Sequence, residues 1–175
     1  DRLYLTKPLG IGILTTAEKK SLLKPEHQNL ARDTMCQLNK IGAVLAKEDA
    51  VNAMTDVTGF GLLGHLTEMA EGSHLTAKIQ SQAVPLLEHV EDYLEQGAVP
   101  GGTERNFASY GHKIAPLNEQ NRQLFCDPQT SGGLLLSVSA SDSEKIESVL
   151  EANNIAIHCI GEFIAPMGEL SVVVE

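Results

Sequence analysis

The chain has 175 residues, of which 42% are hydrophobic and 21% charged, with 15 Gly and 7 Pro. That is the composition of a globular domain with a core of its own, and no apolar run approaches the ~18 residues of a membrane span, so no membrane partner is expected. With 13 Lys+Arg against 23 Asp+Glu the formal charge is −10; such a field repels polyphosphate backbones and argues against a nucleic-acid partner, although carboxylates can still hold a small phosphorylated ligand through magnesium.

In chain order, Leu3, Tyr4 and Leu5 open the sequence as a strand. The run Lys7 to Leu14, β-branched and broken by Gly10 and Gly12, reads as a second strand where other backbone approaches closely. From Pro25, apolar residues at spacings of three and four (Leu30, Ala31, Thr34, Met35, Leu38) predict an amphipathic helix capped by Gly42. Ala50 to Asp56 reads as a short buried strand, and Phe60, Leu63, Leu66, Met69 and Ala70 as a helical stripe ending near Gly72, so a strand-to-helix turn falls on Asp56 to Gly61. Leu75 to Ile79 follows as a strand, and Pro85 opens a helix that Gly97 stops.

Ala98 to Pro116 is rich in Gly, Pro and polar residues and reads as a functional or linking loop, with a short helix over Thr103 to Tyr110. A helix from Asn118 to Phe125 meets Pro128, Gly133 to Ser139 is a strand, and the Ser141/Glu144 spacing predicts a capping box for a helix over Asp142 to Ala152. Two neighbouring strands, Ala156 to Ile164 and Leu170 to Val174, close the chain around Pro166-Met167-Gly168. The fold class implied is an α+β or α/β sandwich, a mixed sheet covered by helices, in a single domain over 1–175.

Three segments carry chemistry. Met54 to His65 places Asp56 at the carboxyl end of a strand before a glycine-bearing turn, where it either ligates a metal-bound phosphate or, with Thr58, merely caps the next helix. His65 reads as a packed or outward histidine, because no second His or Cys stands near it at metal-ligand spacing. In Pro100 to Asn106, Arg105 could give a phosphate two parallel hydrogen bonds, or Thr103 could simply be an N-cap. Cys126 to Gly133, glycine-rich and polar before a strand, reads as a pocket rim or a plain strand-entry turn. Cys36, Cys126 and Cys159 are odd in number and widely spaced, which reads as reduced, half-buried thiols. No basic and apolar leader is visible, so a cytoplasmic location is expected; the opening at Asp1 without an initiator Met reads as a fragment.

Together, Lys7-Pro8-Leu9-Gly10-Ile11-Gly12, Thr55 to His65, Gly101-Gly102-Thr103-Glu104-Arg105-Asn106 and Asp127-Pro128-Gln129-Thr130-Ser131-Gly132-Gly133 resemble, in the same order, the C-terminal half of the selenophosphate synthetase family. This is a branch of the wider aminoimidazole ribonucleotide synthetase-like superfamily. The resemblance implies that fold, and an enzyme that makes selenophosphate from selenide and ATP, releasing AMP and phosphate, with magnesium as cofactor. It implies Asp56 as a magnesium ligand, with Thr58, Gly59 and Asn106 as phosphate-side neighbours. It also implies a homodimer and an N-terminal ATP-binding domain, carrying the reactive cysteine or selenocysteine, that has no counterpart in these residues. No catalytic residue is therefore assigned here, and the chain is expected to be inactive alone. A noncatalytic binding or dimerisation module, or a purine- or thiamine-pathway branch of the superfamily, are the alternatives.

Overall fold

The computed structural model describes residues 1–175. Six strands form one mixed sheet: β1 (Arg2–Leu5), β2 (Val51–Asp56), β3 (Thr76–Ile79), β4 (Leu134–Val138), β5 (Cys159–Ile164) and β6 (Val172–Val174). Their order is β2-β4-β1-β5-β3-β6, antiparallel throughout except for the parallel pair β3 and β6. Eight helices pack around it: α1 (Ile11–Lys19), α2 (Leu30–Cys36), α3 (Gly42–Leu45), α4 (Gly61–Ser73), α5 (Val90–Glu95), α6 (Gly101–Tyr110), α7 (Glu119–Phe125) and α8 (Ser143–Ala152).

Strand alternation sorts the core onto two faces. Leu3 and Leu5 of β1 and Leu135 of β4 join a cluster of 29 buried residues with α1, α4, α5 and α7. Tyr4 of β1 and Leu134, Leu136 and Val138 of β4 face the other way, into a cluster of 9 with Ile41, Leu45, Ile146 and Leu150 of the α3 and α8 region. The middle of the sheet is therefore covered on both sides, which is why Leu134–Val138 is buried at every position, with Ser137 its one polar residue. The sandwich expected from the sequence is the architecture found.

Several elements differ from their sequence reading. Ile11 to Leu14 is not a strand but the start of α1, with Ile11, Ile13, Leu14 and Ala17 buried at helical spacing. Gly12 does mark a close approach: a Cβ there would meet the Asp127 carboxylate, and Pro128 O at 2.6 Å. The helix expected from Pro25 to Gly42 is a single 3-10 turn (Pro25–His27), α2, and a separate four-residue α3 that Gly42 begins rather than caps. Pro85 opens no helix: Leu87 N–H donates to Leu9 O at 2.9 Å in an extended bridge, and α5 starts at Val90.

β2 exists where expected, but it is a sheet edge with its residues half or fully exposed, because only β4 flanks it. The last two strands are not neighbours; β3 lies between them. No capping box forms at α8, since Ser141 Oγ donates to the adjacent Asp142 carboxylate at 2.6 Å and the helix begins at Ser143.

Candidate functional site

β2 ends at Asp56, paired across from Leu134, and the chain then turns sharply into α4. The turn is held at three successive carbonyls. Thr58 O accepts from Gly61 N–H and Gln129 N–H at 3.0 Å each, Gly59 O from Asn106 Nδ2 at 2.8 Å, and Phe60 O from Tyr110 Oη at 2.6 Å. Burial pushes the Tyr110 hydroxyl far up, so it stays protonated and keeps donating. His65, buried on the first turns of α4, accepts the Thr58 N–H at Nε2 over 3.1 Å. Its proton therefore sits on Nδ1, 3.3 Å from Glu68 Oε2 and close to it without alignment as a hydrogen bond. The packed reading of His65 holds, with a role that spacing did not reveal: it positions the turn.

Neither Asp56 nor Thr58 caps α4; the N-cap position is Phe60 and no side chain bonds there. The Asp56 side chain is exposed, and the one side-chain hydrogen bond to this residue is Thr55 Oγ1 to its backbone carbonyl at 3.4 Å. A carboxylate at the end of an edge strand, free of protein partners and beside a fixed turn, is available to a ligand. Asn106, buried on α6, uses both amide hydrogens on the protein, donating to Gly59 O and to Cys126 O at 3.0 Å. The geometry thus brings Asp56, Thr58, Gly59 and Asn106 to one turn, with Asn106 as its clamp.

The two glycines of the turn differ. A Cβ on Gly61, at φ +70°, would lie 2.8 Å from Cys126 C, whereas one on Gly59 would meet nothing within 4 Å. Gly61→Ala is therefore expected to cost about 2 kcal/mol from left-handed strain and backbone crowding, and Gly59→Ala less than about 0.5 kcal/mol. Denaturant midpoints of the two variants check this; equal losses would contradict the geometry.

Two further segments meet beside the turn. Asp127 is 1% exposed, and its Oδ2 accepts the Gly12 N–H at 3.1 Å and Gln129 Nε2 at 2.7 Å, while Gln129 Oε1 accepts from Gly10 and Ile11 N–H at 3.3 Å. Residues from the far end of the chain thus cap α1, whose own N-terminus has no side-chain cap. Burial pushes the Asp127 carboxyl up to about 7 against the pull of those hydrogen bonds. Lys7, 4% exposed, donates through Nζ to Gln37 O and Ser131 O, each at 2.7 Å, and burial pushes its ammonium down. The Lys7 and Asp127 segments, separate in the sequence, are one clip.

Next to the turn lies an open concavity of about 620 Å³, lined by Gly59, Asn106, Lys19, Lys20, Arg105 and the Pro100-Gly101-Gly102 start of α6 among others. Thr103 is not an N-cap; it lies fully buried inside the first turn of α6, and the short helix expected over Thr103 to Tyr110 is found, beginning two residues earlier at Gly101. Lys19 and Lys20, not singled out in the sequence, carried one signal: adjacent cations in an acidic chain. Cys126 is buried, and burial pushes its thiol up to about 11, whereas Cys36 and Cys159 are exposed rather than half-buried.

No group of three His, Cys, Asp or Glu gathers anywhere in the chain. A closed protein cage for a metal is thus not built here. Asp56 alone fits the other mode, in which magnesium keeps its waters and takes one or two carboxylates plus substrate phosphates.

The model of the C-terminal domain of AIR synthase related proteins matches residues 1–173. The chain belongs to this family. Among its relatives, the selenide, water dikinase of Cronobacter sakazakii is 58% identical over 167 residues, covering 95% of this chain and 48% of that protein. That of Haemophilus influenzae is 54% identical over 174 residues, covering 99% of the chain and 50% of that protein. The chain spans about half the length of the curated relatives it matches. Thiamine-monophosphate kinase from Stenotrophomonas maltophilia superposes over 100% of this chain and 50% of its own with a TM-score of 0.66 at 14% identity. The hydrogenase maturation protein HypE in complex with ATP superposes over 99% of this chain and 47% of its own, with a TM-score of 0.64 at 20% identity. With the family match, these two superpositions show an AIR synthase-like fold. No helix is long and apolar enough to cross a membrane.

Proposed function

We propose that this domain is the C-terminal half of an enzyme that makes selenophosphate from selenide and ATP, releasing AMP and phosphate. The relatives' name and the resemblance in the motifs support the reaction. The observation that carries the site is the unpartnered Asp56 carboxylate beside a turn whose Thr58, Gly59 and Phe60 carbonyls are engaged. Magnesium, when bound, neutralises phosphate charge and aligns the nucleotide.

Within that scheme Asp56 offers the charged oxygen ligand, and the exposed backbone at Gly59, next to Thr58, lets a phosphate come close because no side chain intervenes there. His65, Asn106 and Tyr110 keep the turn from moving, so no ordering cost falls on the ligand when it arrives. Cys126, with its thiol raised by burial, is a poor nucleophile, and the reactive group belongs to an N-terminal domain of the same protein. That domain completes the ATP site, and the assembly is a homodimer.

Equilibrium binding of magnesium-ATP tests this division. The full-length protein is expected to bind at least about tenfold more tightly than the 175-residue chain, since one carboxylate and one turn make only part of the site. Equal affinity for the two would overturn it.

A further inference from the structure

The acidic surface holds a concavity lined without a carboxylate. Six of the 13 lysines and arginines sit in ion pairs: Arg2, Arg32, Lys78, Lys113, Arg122 and Lys145. Lys19, Lys20 and Arg105 do not, and all three line the concavity between the end of α1 and the start of α6, where every other lining residue is neutral. Lys20 Nζ has only the Gly97 carbonyl, at 2.7 Å. In a chain with 23 acids, three cations that line one concavity with no acid in its lining are uncompensated.

Arg105 makes the imbalance sharper. Its Nη1 would lie 3.5 Å from a Cβ on Gly101, so the guanidinium folds back over the first turn of its own helix. That end carries the positive pole of α6, and Pro100 ahead of it gives no side-chain cap. The neighbouring Glu104 does not compensate, because it pairs with Arg122 at 3.4 Å. A cation resting on a positive helix end beside two further cations is relieved by an anion that touches all of them. Val99 is the one hydrophobic lining residue, which leaves no slot for a nucleobase.

We propose that this concavity is a binding site for a phosphate-class oxyanion, held by Arg105, Lys19, Lys20 and the unpaired amides of Gly101 and Gly102. Asp56 does not line it. It rests on the proposed function only for the carrier, which is either the free anion or the phosphates of a nucleotide.

The test is titration of the 175-residue chain with inorganic phosphate, followed by backbone amide NMR, with chloride at matched ionic strength as reference. Saturable shifts at Gly59, Gly101 and Gly102 are expected, and Lys19→Ala/Lys20→Ala/Arg105→Ala should weaken the apparent affinity by about tenfold or more. Lys40→Ala/Lys47→Ala, two exposed cations elsewhere, should change it by less than about twofold. Metal-free ATP identifies the carrier: shifts at the same amides assign nucleotide phosphates, and a response confined to phosphate assigns the free anion. No saturable response to either, the same response to chloride, or an unaltered affinity in the triple variant overturns the site. Asp56→Asn should retain the phosphate response whatever its effect on ATP use, so this proposal and the proposed function fail separately.

Discussion

In the full-length protein, Asp56→Asn is expected to lower magnesium-dependent ATP consumption on the order of 100-fold, the rate equivalent of the several kcal/mol a bound metal contributes to charge stabilisation. Stability should change by less than about 0.5 kcal/mol, because the carboxylate is exposed and no donor in the protein bonds to it. The amide keeps the shape of the side chain and loses the charge that a hard cation needs. Thr58→Ala is the control: Thr58 Oγ1 caps no helix and stands 3.4 Å from His65 Nε2, so its loss should leave the melting temperature close to that of the parent. Full activity of Asp56→Asn across a magnesium titration would remove the metal role, and a matching loss of stability would make Asp56 structural.

The second large effect is on stability against pH. Asp127 titrates near 7 in the folded chain, because burial disfavours its charge, and at about 3.9 when unfolded. Between those values the folded state holds a proton that the unfolded state has released. The contribution is therefore complete below about pH 4 and is lost as pH rises through 7. Asp127→Asn should flatten this fall, with the two stability curves diverging by on the order of 3 kcal/mol across the window. Asp127→Ala behaves differently: it strands the Gly12 N–H and removes one of the two bonds of Gln129 Nε2, and should cost about 1–3 kcal/mol even at low pH. Chemical denaturation of all three proteins from pH 4 to pH 8 checks both expectations. A wild-type curve parallel to that of Asp127→Asn would contradict the burial argument.

The site was legible where its chemistry is local. Asp56, the turn and the following helix follow one another within a few residues, so a strand-end carboxylate and a glycine-bearing turn could be read directly. What fixes the turn was not legible, because Asn106, Tyr110 and Gln129 arrive from elements many residues away. The same distance explains the misreading of α1. Gly-Ile-Gly-Ile has strand-like letters, and the acceptors that satisfy its first N–H groups, Asp127 and Gln129, stand more than a hundred residues downstream. Helix periodicity was decisive only over longer runs, as at α4, while the reading from Pro25 to Gly42 merged a 3-10 turn and α2 into one helix and took the first residue of α3 for its cap. Sheet order lay outside the pattern altogether: the closing strands follow each other in sequence, yet the β3 segment, laid down far earlier, occupies the place between them.

The most direct measurement is of products. The full-length protein, supplied with selenide, magnesium and ATP, should give selenophosphate, AMP and inorganic phosphate together by ³¹P NMR, and the 175-residue chain under the same conditions should give none of them. ADP as the lasting nucleotide product, phosphorylation that proceeds without selenide, or turnover by this chain alone would contradict the account.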